Sequence, residues 1–149
     1  MPILDARPRW RSPRRSLGVV ICLVTYATLA AHASKSVWSG VYTDRQAALG
    51  EKIYYDRCAI CHGDDLGGIE KAPALVGIAF LESWHGKTVR KLFERIESMP
   101  PDEPKVVSAE EAVSVLAFLL HSSAMPSGSS PLPTDRSLLA EITIERAKP

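Results

Sequence analysis

With 149 residues, of which 46% are hydrophobic and 23% charged, the chain has room for one ordinary domain. Its formal net charge of +1 hides an asymmetry, because five arginines crowd residues 7–15; without residues 1–33 the remainder holds 13 basic and 16 acidic side chains, formally −3. That balance speaks against nucleic acid as a partner and favours a protein surface carrying a basic docking patch.

The basic residues 7–15 are followed by an apolar run over residues 17–31 and a small-residue exit at Ala31-His32-Ala33. This layout reads as a secretory signal peptide over residues 1–33, cleaved after Ala33, and so predicts a periplasmic protein. The apolar run is shorter than the roughly 20 residues that cross a bilayer, and the alternative is a membrane-anchored form in which the segment stays uncleaved. Arg14-Arg15 suggests a twin-arginine signal, but Ser16-Leu17-Gly18 continues it poorly. Of three cysteines, Cys22 lies in the apolar run and leaves with it, so Cys58 and Cys61 remain.

Residues 34–42 read as a loose leader to a domain over residues 43–124. Thr43-Asp44-Arg45-Gln46 has the form of a capping box, and Ala47, Ala48, Ile53 and Tyr54 supply an apolar stripe, predicting a helix to about Arg57. Residues 63–73 are rich in glycine and aspartate and read as loop, the kind of segment on which chemistry tends to sit. A second helix is expected over residues 87–98, where Val89, Leu92, Phe93 and Ile96 recur at three- and four-residue spacing before Pro100-Pro101 stops it. Ser108-Ala109-Glu110-Glu111 opens a third, running to about His121. Residues 125–149 read as an extension wrapping the surface, with residues 138–144 docking back. No strand pattern or internal repeat appears, so the expected fold class is all-α.

The decisive pattern is Cys58-Ala59-Ile60-Cys61-His62. A CxxCH run is the signature of c-type haem attachment. Two thiols three residues apart on one helical turn share a face, so both can add to vinyl groups on one side of a porphyrin, and the next residue turns an imidazole toward the iron. A CxxC pair also suits a redox-active dithiol, half of a zinc site or a plain disulfide. Zinc lacks its other ligands, since no second CxxC or close pair of histidines follows, and the βαβ setting of a thioredoxin-like motif is absent. One haem c, attached through Cys58 and Cys61 with His62 on the metal, is the reading that remains.

An electron carrier needs a sixth iron ligand that does not exchange, and a thioether serves because it favours ferrous iron. Met99 stands just after the second predicted helix, held in an extended turn by Pro100-Pro101, and is the expected ligand. Met125, His121 and an open sixth position are the alternatives. His32, His85 and His121 are otherwise given no role.

Gly50, Tyr54, the CxxCH run, Gly63, Pro73, Leu75, Met99-Pro100 and Ala117-Phe118 together resemble class I cytochromes c. The resemblance implies a few helices wrapped around one covalent haem, with Gly50 and Tyr54 where the first helix crosses the last and Phe118 as aromatic partner. It implies that the Pro73 carbonyl accepts a hydrogen bond from His62 Nδ1. A closer likeness over about residues 43–140 rests on Phe80, Trp84, Thr88, Leu92-Phe93, Met99-Pro100-Pro101-Asp102, Pro104, Pro126, Gly128 and Leu132-Pro133. These residues look like the cytochrome domains and partner subunits of quinone-cofactor (PQQ) alcohol dehydrogenases. In such proteins Phe80 and Leu75 would line the haem pocket and the Trp84 indole N–H would lie near a propionate. The chain lacks the propeller domain that holds PQQ, so the implied function is single-electron transfer without catalysis or a small-molecule substrate. A periplasmic dehydrogenase would be the donor, and an oxidase or another cytochrome the acceptor. A membrane-tethered dehydrogenase subunit, or a haem enzyme or sensor with an open sixth site, would be the alternatives.

Overall fold

The computed structural model describes residues 35–104 and 106–148, and the first long element begins where the sequence supplies a cap. The signal-like segment over residues 1–33, with Cys22 and His32, lies outside the described residues. Among the described residues no helix is long and apolar enough to cross a membrane.

Helix α1 spans Asp44–Arg57, opened by Thr43, whose hydroxyl accepts from Gln46 N at 3.2 Å. The box is not reciprocated, because Gln46 turns its amide outward instead: Nε2 donates to Leu132 O at 3.0 Å and Oε1 accepts from Leu132 N at 2.8 Å. Helix α2, Ala59–His62, continues from α1 with Cys58 as the joint. Helix α3 covers Gly77–Trp84 and α4 covers Val89–Glu97. Helix α5, Ala109–Ser122, has a complete capping box: Glu111 N donates to Ser108 Oγ at 3.2 Å, and Ser108 N to Glu111 Oε2 at 2.8 Å. Such a cap stabilises a helix start by about 1 kcal/mol.

Every residue from 112 to 120 on α5 is buried, including Ser114, whose hydroxyl donates to Glu110 O at 2.8 Å. A helix apolar all the way round needs neighbours on every side. Helix α1 covers one side and α4 another, through Val89, Leu92 and Phe93. The chain beyond α5 completes the cover, with Met125 and Leu132 buried in the core. Helix α6, Arg136–Ala140, then buries Leu139 and packs on α4. The fold is therefore mostly helical, with its core centred on α5.

The contact of α1 with α5 is a backbone-to-backbone one. A Cβ built on Gly50 would sit 1.8 Å from the Ser114 carbonyl oxygen and 2.8 Å from Val115 N. One turn further on, Tyr54 and Phe118 rings meet at 5.3 Å between centroids. Only glycine permits this approach, which lets aromatic side chains lock the crossing on one side.

Two departures from the sequence reading have one physical cause. Of the segment over residues 34–42, expected as a loose leader, the described residues 35–42 are anchored: Val37 and Tyr42 are fully buried, and the Tyr42 hydroxyl donates to Met125 O at 2.5 Å. Strand β1, Lys35–Ser36, pairs in parallel with β2, Ile142–Thr143, in the register Lys35↔Ile142 and Ser36↔Thr143. Two-residue strands are too short for any alternation to register in sequence, and their pairing exists only because the domain brings both ends together. Helix α3 likewise carries no start signal, since Val76 precedes it without a side-chain cap.

Replacing Gly50 by alanine should push α1 off α5, since no rotamer relieves a clash with main chain. The expected cost is about 3 kcal/mol or more, at the upper end for overpacking. Thermal unfolding should show a melting temperature lower by more than about 10 °C; a variant melting with the parent would mean that the crossing is not the close contact described.

Candidate haem-attachment site

Helix α1 delivers the motif. Cys58 N donates to Tyr54 O at 2.8 Å as the last bond of α1, and Cys58 O then accepts from Cys61 N at 3.1 Å and His62 N at 3.0 Å. The two cysteines and the histidine therefore occupy one helical turn. The thiols are free rather than bonded to each other, Cys58 half-buried and Cys61 exposed. Burial pushes the Cys58 thiol up from its ordinary value, with Arg57 pulling the other way and Cys61 adding to the rise. Reactive dithiols need the opposite shift, toward thiolate at neutral pH. Among the described residues, no three His, Cys, Asp or Glu side chains gather as a metal cage.

His62 Nδ1 lies 2.9 Å from the Pro73 carbonyl oxygen. A carbonyl can only accept, so Nδ1 donates, and in the neutral ring this leaves the lone pair on Nε2, the form a metal requires. The position of Pro73 follows from the loop between them. Gly68 N donates to His62 O at 2.8 Å, and Leu75 N to Leu66 O at 2.8 Å, folding residues 63–75 back on themselves. Gly68 has φ +81°, and a Cβ there would stand 2.4 Å from Ala72 O and 2.8 Å from Ala74 N. The backbone on either side of Pro73 thus rests on a glycine that nothing else can replace.

Two tyrosines of α1 tie down the start of that loop. Tyr54 donates to Gly63 O at 2.6 Å, and Tyr55 to Asp64 O at 3.3 Å. Burial, with smaller contributions from Cys58, Tyr55, Asp65 and Asp64, pushes the Tyr54 hydroxyl from 10.0 up to about 12. Tyr54 belongs to both the helix crossing and the loop anchor, and only the tertiary contact reveals the second role.

The remaining sequence-predicted residues lie on later segments. Leu75 is half-buried at the loop's end, and Phe80 is buried on α3 with its ring 6.3 Å from that of Trp84. Trp84 is half-buried, with Lys87 Nζ 5.0 Å from the ring centroid. Met99 follows α4, its N–H donating to Ile96 O at 3.1 Å, and its side chain is half-buried without joining the core cluster. Met125, by contrast, is 2% exposed and sits in the core. Hydrogen bonding brings His62 and Pro73 together, and ring contact brings Phe80 and Trp84 together; no such contact links Met99 to either pair.

The donor set suits a haem c. It offers two thiols and an imidazole with a free Nε2 on one turn. The following segment holds apolar side chains that the protein leaves uncovered, Ile78 at 80% exposure and Ile69 at 50%.

Gly68→Ala should move the Pro73 carbonyl off His62. In the haem-loaded protein the His62 Nδ1 proton is expected to exchange with solvent faster than in the parent, with stability lower by about 1–3 kcal/mol. An unchanged exchange rate would show that Gly68 does not hold the ligand. Tyr54 sets a second expectation. Its pKa is higher folded than unfolded, so its contribution is complete below pH 10.0 and is lost as pH rises toward about 12. Denaturant unfolding between those two values should lose stability more steeply in the parent than in Tyr54→Phe, and equal slopes would refute the assignment.

A family model described as "Cytochrome C oxidase, cbb3-type, subunit III" matches residues 45–119. The cbb3-type cytochrome c oxidase subunit CcoP of Rubrivivax gelatinosus is 35% identical over 89 residues, covering 56% of this chain and 28% of that protein. The chain thus matches little more than a quarter of that relative's length. Among solved structures, the sulfane dehydrogenase SoxCD from Paracoccus pantotrophus aligns over 72% of this chain and 61% of its own, at 20% identity and a TM-score of 0.45. Since the matched segment takes in the helix crossing and the CxxCH turn and amounts to half of the residues, the chain belongs to the cytochrome c family described as cbb3-type oxidase subunit III: it is a monohaem class I cytochrome c, an electron-transfer protein with covalently bound haem c.

Proposed function

We propose that the chain is an exported, periplasmic single-electron carrier whose haem c is bonded through Cys58 and Cys61 and ligated by His62 and Met99. The observation that carries this reading is the 2.9 Å bond from His62 Nδ1 to Pro73 O, which turns Nε2 of the ring outward for a metal, with two free thiols on the same turn. Haem supplies one-electron chemistry between ferric and ferrous iron. The protein's part is to hold the imidazole in one tautomer, offer a thioether from Met99, and wall the group with Leu75, Phe80 and Trp84. Met99 is favoured over Met125 because its side chain stands outside the core, whereas Met125 is packed within it. No substrate-binding or proton-transferring residue is needed for outer-sphere transfer, and the protein turns over no substrate.

Family membership supports a terminal oxidase of the respiratory chain at the receiving end. The resemblance of Phe80, Trp84, residues 99–102 and Pro104 to the cytochrome domains of PQQ alcohol dehydrogenases supports a periplasmic dehydrogenase of that type as donor. Docking is brief, since redox encounters typically bury less than about 1,200 Å². The acidic surface makes such encounters sensitive to ionic strength. Retention of the N-terminal apolar segment would convert the shuttle into a tethered subunit.

The test is an absorption spectrum of protein produced with its N-terminal segment in a host that matures c-type haem. The expected spectrum is low-spin with the near-infrared methionine-to-iron band, lost in Met99→Ala and kept in Met125→Ala. A high-spin parent protein would instead indicate an open sixth site and a haem enzyme or gas sensor. Pigment extractable by acid-acetone would rule out the covalent attachment.

A further inference from the structure

The segment following α6 is hydrogen-bonded into the corner between α3 and α4. Ile144 is 1% exposed, its N–H donates to Lys87 O at 2.9 Å, and its carbonyl accepts from Gly86 N at 2.9 Å. Thr143 bridges Thr88 in antiparallel fashion one step away. On the other side of the same segment, Trp38 Nε1 donates to Glu145 O at 3.0 Å. Arg146 reaches Glu82 on α3 itself at 2.8 Å, although both side chains are more than half exposed and such a pair contributes little. The main-chain bonds are therefore what hold the corner. They grip it where α3 ends, two residues after Trp84, at a glycine with φ +73° that has no other main-chain acceptor for its N–H.

We propose that residues 142–146 are a positioning clamp: by holding Gly86 and Lys87 they fix the end of α3, and with it the Trp84 indole, and so set how much water reaches the haem on that side. The inference rests on the reading that Phe80 and Trp84 wall the haem. Its sign follows from charge. Ferric haem carries one more positive charge than ferrous, water stabilises that charge, and a loosened clamp therefore lowers the midpoint potential.

The test compares Ile144→Pro with Ile144→Ala in the haem-loaded protein. Proline removes the N–H that Lys87 O accepts; alanine keeps it while opening a comparable defect in the core. Spectroelectrochemical titration should place Ile144→Pro below both the parent and Ile144→Ala, with Ile144→Ala near the parent. Equal shifts in the two variants, or none in either, would overturn the clamp. Amide exchange in the parent provides a second measurement. Gly86 N–H should exchange at least about a hundredfold more slowly than in an unstructured peptide, and a freely exchanging Gly86 would defeat the proposal even if the proline variant fails to accumulate. Failure of the underlying reading looks different, because the parent itself would then give extractable pigment or a high-spin spectrum.

Discussion

The approach of α1 to α5 at Gly50 and Ser114 is the constraint from which the rest of the structure follows. With main chain against main chain, the two helices cannot slide or rotate without a collision, and the Tyr54 and Phe118 rings fill the space beside the contact. The C-terminal end of α1 is thereby fixed against the most buried helix in the protein, and the CxxCH turn grows directly out of that end. The residues that carry the chemistry are thus an extension of the packing core rather than a loop laid upon it.

From that fixed point the loop over residues 63–75 is closed by a small number of polar contacts. Tyr54 holds Gly63, Gly68 turns the chain back under His62, and Pro73 presents its carbonyl to Nδ1. Each contact depends on the one before it: the tyrosine is placed by the helix crossing, the turn by the anchored Gly63, and the carbonyl by the turn. Burial at the crossing pushes the Tyr54 hydroxyl up to about 12, which favours the neutral form that donates to Gly63 O.

The two ends of the described chain are joined in a way that bears on α3 and α4 as well. Parallel pairing of β1 with β2 and the Tyr42 contact with Met125 join the leader to the extension, and two hydrogen bonds between Gln46 of α1 and Leu132 hold the extension to the core. The segment after β2 then grips the α3–α4 corner.

Local pattern settled what local interactions stabilise. The caps at Thr43 and Ser108, the three-four spacing of α4 and the unbroken apolar character of α5 were legible because they arise within a few residues of one another, and the CxxCH spacing is a one-turn property. The destination of the Gln46 side chain, the start of α3 without a cap, the pairing of two-residue strands and the burial of Val37 and Tyr42 were not legible, since each depends on residues tens of positions away. So the sequence by itself determined helices α1, α4 and α5, the haem-binding turn and the class of chemistry. The tertiary structure alone decided how the leader pairs with the extension and what holds the end of α3 in place, because those are bonds between segments that meet only after the core has formed.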